Sequence, residues 1–66
     1  MELPLATLER IMRNAGADKL TEESVRILNE EIEELADELS RDAIEICREN
    51  GRSELTAEDV EKASES

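Results

Sequence analysis

The feature that most constrains this chain is a long, uninterrupted stripe of apolar residues at helical spacing. Its members lie three or four residues apart, which places their side chains on one face of an α-helix. They are Val25, Leu28, Ile32, Leu35, Leu39, Ala43 and Ile46. Neither proline nor glycine occurs after the start of the stripe until Gly51, so we predict one helix over about residues 22–50.

This helix is too long for a domain built from one copy of the chain. A helix of about 29 residues is about 43 Å long, whereas a compact globule of 66 residues is only about 28 Å across. The short flanking segments can cover only its ends, which leaves Ile32, Leu35 and Leu39 wet. We therefore predict a homodimer in which a second copy crosses the middle of the helix and these three residues form the dimer core. An ordinary antiparallel coiled coil is the alternative, but a plain zipper does not need capped helices on both sides.

A short helix precedes the long one. Pro4 stands where a first helix would begin, a position that tolerates its missing N–H, and Gly16 is a natural C-terminal stop. The sequence therefore predicts a first helix over about residues 4–14. Thr21 then supplies an N-cap for the long helix.

A second short helix follows the long one. Thr56 and Asp59 have the spacing of a capping box, and an apolar stripe continues from Val60 to Ala63. We predict a third helix over about residues 57–64 and an all-α fold in the order short, long, short.

The size and cysteine content of the chain point to a partner as the source of stability. A chain of 66 residues is one domain at most, so we predict a single domain over residues 1–66. A domain this small is marginal without disulfides, metals or oligomerisation. Cys47 has no second cysteine to pair with and the chain has no histidine, which excludes an internal disulfide and a zinc site of Cys and His ligands. We expect Cys47 to be a structural thiol, with no cofactor, no metal and no enzymatic activity, because no nucleophile–base set or phosphate loop is present.

The charge of the chain is strongly negative, at −11. This balance has two physical interpretations: the chain avoids nucleic acid, or it works in concentrated salt, where a Debye length of about 3 Å at 1 M quenches self-repulsion. The acidic run from Glu30 to Glu38 is expected to be a solvated face. We expect Arg26, Arg41 and Arg48 to pair with helix carboxylates three or four residues away. The absence of aromatic residues removes base stacking on single strands.

Four segments of the chain resemble archaeal histones. They are MELPLATLERI at the start, residues 14–21 (NAGADKLT), residues 50–52 (NGR) and residues 56–61 (TAEDVE). The similarity runs without gaps from Met1 to about Ala63. It implies the histone fold as a handshake homodimer, in which two long helices cross and each first loop lies beside the second loop of the other copy.

The resemblance also implies a set of functional residues. The DNA-binding positions that it gives are Arg10, Arg13, Lys19 and Arg52. It pairs Arg52 with Asp59 as a brace of the second loop. The positions at which dimers of this family stack into tetramers are Ile46, Glu49, Asp59 and Lys62.

The chain departs from the family's usual pattern at several of these places. The family usually has a basic residue where Ser53 stands and threonine where Glu54 stands, so the phosphate-facing loop carries an added negative charge. Glu49 stands where histidine is common, and it would approach a carboxylate across the stacking interface unless Lys62 bridges the two. We therefore expect stacking into long filaments to be weakened.

The function that we predict is compaction of double-stranded DNA without base specificity, with a surface suited to high salt. The alternative is an acidic histone-fold interaction module with weak or no DNA binding, which heterodimerises with basic histones or caps their assemblies. A designed histone-fold sequence, never selected for binding, is a third interpretation. No apolar run approaches the ~20 residues that span a bilayer and the N-terminus lacks the features of a signal peptide, so we expect a cytoplasmic protein on the chromosome with no membrane partner.

Overall fold

A computed structural model of the protein describes residues 4–65 and contains three α-helices in that range. They are α1 (Leu5–Asn14), α2 (Glu22–Glu49) and α3 (Ala57–Glu65). The predicted order of short, long and short helices is therefore confirmed, with each predicted boundary within one residue of the observed one. Residues 1–3 and 66, which belong to the predicted domain and, at the N-terminus, to the archaeal-histone-like segment, lie outside the described residues.

Glycine ends both of the first two helices by the same backbone geometry. After α1, Gly16 adopts φ +116° and the Ala17 N–H donates to the carbonyl of Met12 at 3.1 Å. After α2, Gly51 adopts φ +70° and the Arg52 N–H donates to the carbonyl of Cys47 at 3.1 Å. Because side chains with a β-carbon avoid positive φ, glycine is the residue that suits this type of C-terminal cap.

Side-chain oxygens cap the N-termini of α2 and α3. The Ser24 N–H donates to Oγ1 of Thr21 at 3.0 Å, and the Thr21 N–H donates to Oγ of Ser24 at 3.3 Å. At α3, the Asp59 N–H donates to Oγ1 of Thr56 at 3.3 Å, and the Thr56 N–H donates to Oδ2 of Asp59 at 3.0 Å. Both predicted N-caps are therefore present, and each is a reciprocal capping box that satisfies two backbone donors.

The first compact unit of the chain comprises α1, the first loop and the part of α2 that ends at Glu34. Leu8 on α1 is fully buried and Val25 on α2 is 2% exposed. Leu5 and Glu9 of α1 line one cavity together with Val25 and Arg26, so α1 lies along the beginning of α2.

The second compact unit begins at Leu35 and contains the rest of α2, the second loop and α3. Its buried side chains are Ala43, Cys47, Asp59 and Ala63. Three of these four are small, and the fourth is a carboxylate that hydrogen bonds hold in place, so this core contains little apolar volume.

Many large apolar side chains stay in contact with water in the isolated chain. Within residues 4–65 the more exposed of them are Leu5, Ile11, Ile27, Leu35, Ile44, Leu55 and Val60. Leu35, near the midpoint of α2, is the most exposed of this group at 64%. Small cores beside exposed apolar groups are what a chain that folds with a partner shows when it is described alone.

Candidate nucleic-acid interface

Three cations are clustered on α1 and the first loop. Arg10 and Arg13 lie three residues apart on α1, so their exposed side chains share one side of that helix. The Arg13 guanidinium donates from Nη1 to the backbone carbonyl of Asp18 at 3.3 Å, which links the end of α1 to the loop. Lys19 follows in the same loop and is exposed. Arg13 also stands in the last turn of α1, where a cation interacts favourably with the helix dipole.

The cations of the chain divide into paired and unpaired groups. Ion pairs within residues 4–65 hold Arg26, Arg41, Arg52 and Lys62. Within the same range Arg10, Arg13, Lys19 and Arg48 take part in no ion pair. Three of these four unpaired cations therefore fall on α1 and the first loop.

The prediction that helix carboxylates pair with three arginines of α2 is confirmed for two of them. Arg26 contacts Glu23 and Glu30, both at 3.3 Å, and Arg41 contacts Asp37 at 2.9 Å, which raises the pKa of its guanidinium. The prediction is wrong for Arg48, which forms no ion pair among residues 4–65. These partners all lie within the exposed surface of α2, so their contribution to stability is small.

Arg52 and Asp59, the two residues that the resemblance pairs, are in direct contact. The Arg52 guanidinium donates from Nη1 to Oδ2 of Asp59 at 2.8 Å and from Nη2 to Oδ1 at 2.5 Å. The Asp59 side chain is 1% exposed and also accepts the Thr56 N–H at 3.0 Å. The guanidinium, aided by that N–H, holds the pKa of the Asp59 carboxyl well below its ordinary value, and the carboxylate raises the pKa of Arg52. One carboxylate therefore ties the second loop to the first turn of α3.

The Cys47 thiol closes the second loop from the side of α2. It is 4% exposed and donates to the backbone carbonyls of Arg52 and Glu54, at 3.4 and 3.3 Å. Nη1 of Arg52 also donates to the Glu54 carbonyl at 3.3 Å. The sequence predicts a structural thiol at this position but not these partners, because a lone cysteine has no spacing pattern that would identify them.

The residues of the predicted dimer core lie along the middle of α2. Ile32 and Leu39 are half-buried, and Leu35 between them is 64% exposed. Their partial exposure in one chain is what a core shared between two chains requires.

The residues predicted for stacking between dimers are not equivalent. Ile46 is half-buried, and Glu49 and Lys62 are exposed. Lys62 contacts Glu58 at 3.2 Å, one turn earlier on α3. Asp59 is buried, and Arg52 and Thr56 engage its carboxylate, so its side chain offers no surface to a neighbouring dimer.

Within residues 4–65 there is no group of three or more potential metal ligands, and no helix that is long and apolar enough to cross a membrane.

A long central helix between two short helices, with a basic first loop and an ion-paired second loop, defines a histone-fold protein. The chain belongs to the family of histone-like transcription factors (CBF/NF-Y) and archaeal histones, whose model matches residues 1–63. It is 42% identical over 62 residues to one of the subunits of the archaeal histone HAN1 from Thermococcus zilligii, covering 94% of this chain and 92% of the relative. It is 34% identical over 62 residues to the probable archaeal histone 3 of Methanocaldococcus jannaschii, with the same coverage of both chains.

These comparisons confirm the predicted family and the all-α histone fold, for which a handshake dimer is the typical assembly. The family consists of structural, DNA-packaging proteins of chromatin and not of enzymes.

Proposed function

We propose that this chain binds and compacts double-stranded DNA as a handshake homodimer, through phosphate contacts from Arg10, Arg13 and Lys19. The observation that carries the proposal is the distribution of ion pairs: these three exposed cations have no carboxylate partner within residues 4–65, although the chain as a whole is rich in carboxylates. A phosphate oxygen would therefore displace no existing ion pair from them.

Contacts of this kind read the DNA backbone and not the bases. Phosphate contacts fix the position of a protein on the duplex and carry no sequence information directly. A dimer presents two copies of each anchor, so six phosphates are neutralised if all of them engage. The logarithm of the binding constant then falls with the logarithm of salt concentration with a slope of about −5.

Arg52 enters this proposal chiefly as the brace of the second loop. Two of its guanidinium nitrogens are already engaged by Asp59, at 2.8 and 2.5 Å, so a phosphate would have to compete with a buried carboxylate for them. In a handshake dimer this loop lies beside the first loop of the other copy. The proposed role of Arg52 is therefore to hold the second loop in position while Lys19 makes the contact.

The acidic surface suits binding in a salty cytoplasm on the chromosome. The net charge of −11 and the exposed Glu54 in the second loop repel phosphates at low ionic strength. At about 1 M salt, repulsion beyond about 3 Å is screened, whereas direct contacts remain, although weaker. Binding at high salt would then depend on the short-range geometry of the three anchors.

Assembly beyond the dimer is proposed to be weak. Ile46, Glu49 and Lys62 would form the stacking surface, without the buried Asp59. Lys62 already contacts Glu58, so bridging Glu49 to a neighbouring dimer would require it to leave that partner. We propose that stable tetramers do not form at micromolar concentration and low salt, a result that a sedimentation run tests.

The DNA-binding proposal is tested with two triple variants of equal charge. R10A/R13A/K19A removes the unpaired cations, and R26A/R41A/K62A removes three cations that are paired on the surface. Binding to a duplex is measured across a salt series by fluorescence anisotropy. We expect the first variant to lose most of the affinity and of the salt slope, and the second to retain both. Undetectable binding of the unaltered protein at low salt, or equal losses in the two variants, would refute the proposal.

The second candidate function is an acidic interaction module that pairs with, or caps, a basic histone. The observations that favour it are the exposed acidic residues of α2 and the carboxylate of Glu54 in the loop that would face DNA. The name of the relative from Thermococcus zilligii describes one of several subunits, which agrees with an assembly of more than one kind of chain. A heterodimer with a basic histone, together with no DNA binding by this chain alone, would favour this candidate over the first.

A further inference from the structure

The waist of α2, defined here as Ile32, Leu35 and Leu39, is an apolar surface that the chain itself leaves partly open. The helix runs from Glu22 to Glu49, so its midpoint falls beside Leu35, the most exposed of the three at 64%. A two-fold pair of such helices that crosses at the midpoint would cover the waist of each with that of the other.

One edge of the waist carries only negative charge. At 100° per residue, Glu31 and Glu38 lie about 20° apart around the helix axis and border the apolar stripe on the same side. Both are exposed, and neither forms an ion pair within residues 4–65. We call these two residues the acidic edge. The residue bordering the stripe on its other side at this level is the uncharged Ala36.

No cation of α2 lies close enough to neutralise this edge. The nearest arginines along the helix are Arg26 and Arg41, and each is held on the outer face of α2 by its own carboxylate partners. The positions that flank an apolar seam between two helices are the ones that set partner choice in helical pairs. The acidic edge occupies such positions.

Pairing with a second copy would place these edges against each other. In an antiparallel crossing about the helix midpoint, Glu31 of one copy lies beside Glu38 of the other, offset by about 3 Å along the axis at 1.5 Å per residue. The two-fold axis repeats this pair, so the homodimer contains two like-charge contacts at its centre. A partner with cations at the two positions would convert both contacts into ion pairs.

We propose that the waist of α2 selects its partner by charge, and that at low salt it prefers a histone-fold chain with cations beside its own waist to a second copy of this chain. Salt acts as the regulator of this choice, because screening removes the penalty of the like-charge contacts and leaves the apolar contacts in place. This inference rests on the handshake pairing proposed above and adds the chemistry of the partner to it.

The test uses a basic-edged partner made from the chain itself. The variant E31K/E38K carries ammonium groups at the acidic edge, and E30K/E34K carries the same net charge away from that edge. Each variant is mixed with the unaltered chain, and native mass spectrometry measures the heterodimer and both homodimers after equilibration. The mixtures are equilibrated at about 10 mM and about 1 M salt, where the Debye lengths are about 30 Å and 3 Å.

We expect E31K/E38K to form heterodimers at low salt at least about tenfold in excess of random mixing, since each close pair of helix charges changes the equilibrium by a factor of about two. At high salt the excess should disappear. E30K/E34K should mix with the unaltered chain much closer to randomly at both salt concentrations. Random mixing of E31K/E38K at low salt, or an equal excess with E30K/E34K, overturns the inference.

The same experiment separates this inference from the proposed function. If the unaltered chain forms no dimer even at high salt, the handshake pairing itself fails. If dimers form but mix randomly at low salt, pairing stands and only the selection by charge is refuted.

Discussion

Truncation of Leu35 tests the role of the waist most sharply, because the expected loss follows from its exposure. Burial of a whole leucine side chain stabilises a protein by about 1.5–3 kcal/mol. Leu35 is 64% exposed in one chain, so about two-thirds of that burial, about 1–2 kcal/mol per copy, remains for a partner to provide. A dimer contains two copies, so Leu35→Ala should weaken pairing by about 2–4 kcal/mol, or roughly 30- to 1000-fold in the dissociation constant.

The assay is the dimer dissociation constant from equilibrium sedimentation at about 1 M salt, where repulsion between the chains is screened. Ile27→Ala is the matched control, because Ile27 also lies on α2 and is 42% exposed but points about 120° away from the centre of the apolar stripe at 100° per residue. The control should leave the dissociation constant nearly unchanged. An unchanged constant for Leu35→Ala, or equal weakening by both variants, would show that pairing does not use the waist.

Three further predictions concern the stability of the fold, each measured by urea unfolding monitored by circular dichroism. Leu8→Ala should cost about 2–5 kcal/mol, because Leu8 is fully buried and the surrounding core is small; a cost below about 1 kcal/mol would contradict that burial. Thr21→Ala should cost about 1 kcal/mol through loss of the N-cap of α2, whereas Thr21→Ser should restore most of it. Because the pKa of Asp59 is lowered in the folded chain, its pairing with Arg52 stabilises the fold above about pH 4, the ordinary range of an aspartate, and is lost as the pH falls through the folded value. Asp59→Asn should therefore reduce stability at pH 7 and flatten its decline in acid, and an undiminished acid decline in that variant would contradict the assignment.

The helices and their caps can be predicted from the sequence because local signals agree there. The unbroken stripe along α2, Gly16 and Gly51 at the helix ends, and the capping boxes at Thr21 and Thr56 all depend on neighbours within four residues. Such interactions are set by helical geometry and need no knowledge of distant parts of the chain. Ser24 replaces the usual glutamate as the partner of Thr21, which is why the sequence predicts the cap at Thr21 but not the reciprocal hydrogen bond.

The side-chain partners in the candidate site are less predictable. Arg48 has helix carboxylates at suitable spacing but forms an ion pair with none of them within residues 4–65, and Lys62 contacts Glu58 and not Glu49. Exposed ion pairs are worth little, so a long side chain chooses among several nearly equivalent positions, and spacing alone does not identify the one it takes. The contact of Arg52 with Asp59 can be anticipated only through the family resemblance, because the two residues are joined by a loop and not by one helix.

The claim on which the rest depends is that the chain folds as a pair. Equilibrium sedimentation of the unaltered chain at about 1 M salt and low micromolar concentration, with circular dichroism to verify helicity, tests it most directly. We predict a helical species with twice the 7.4 kDa mass of the chain. A folded species with the mass of a single chain under these conditions would contradict the handshake pairing, together with the paired-loop DNA surface and the charge selection that rest on it.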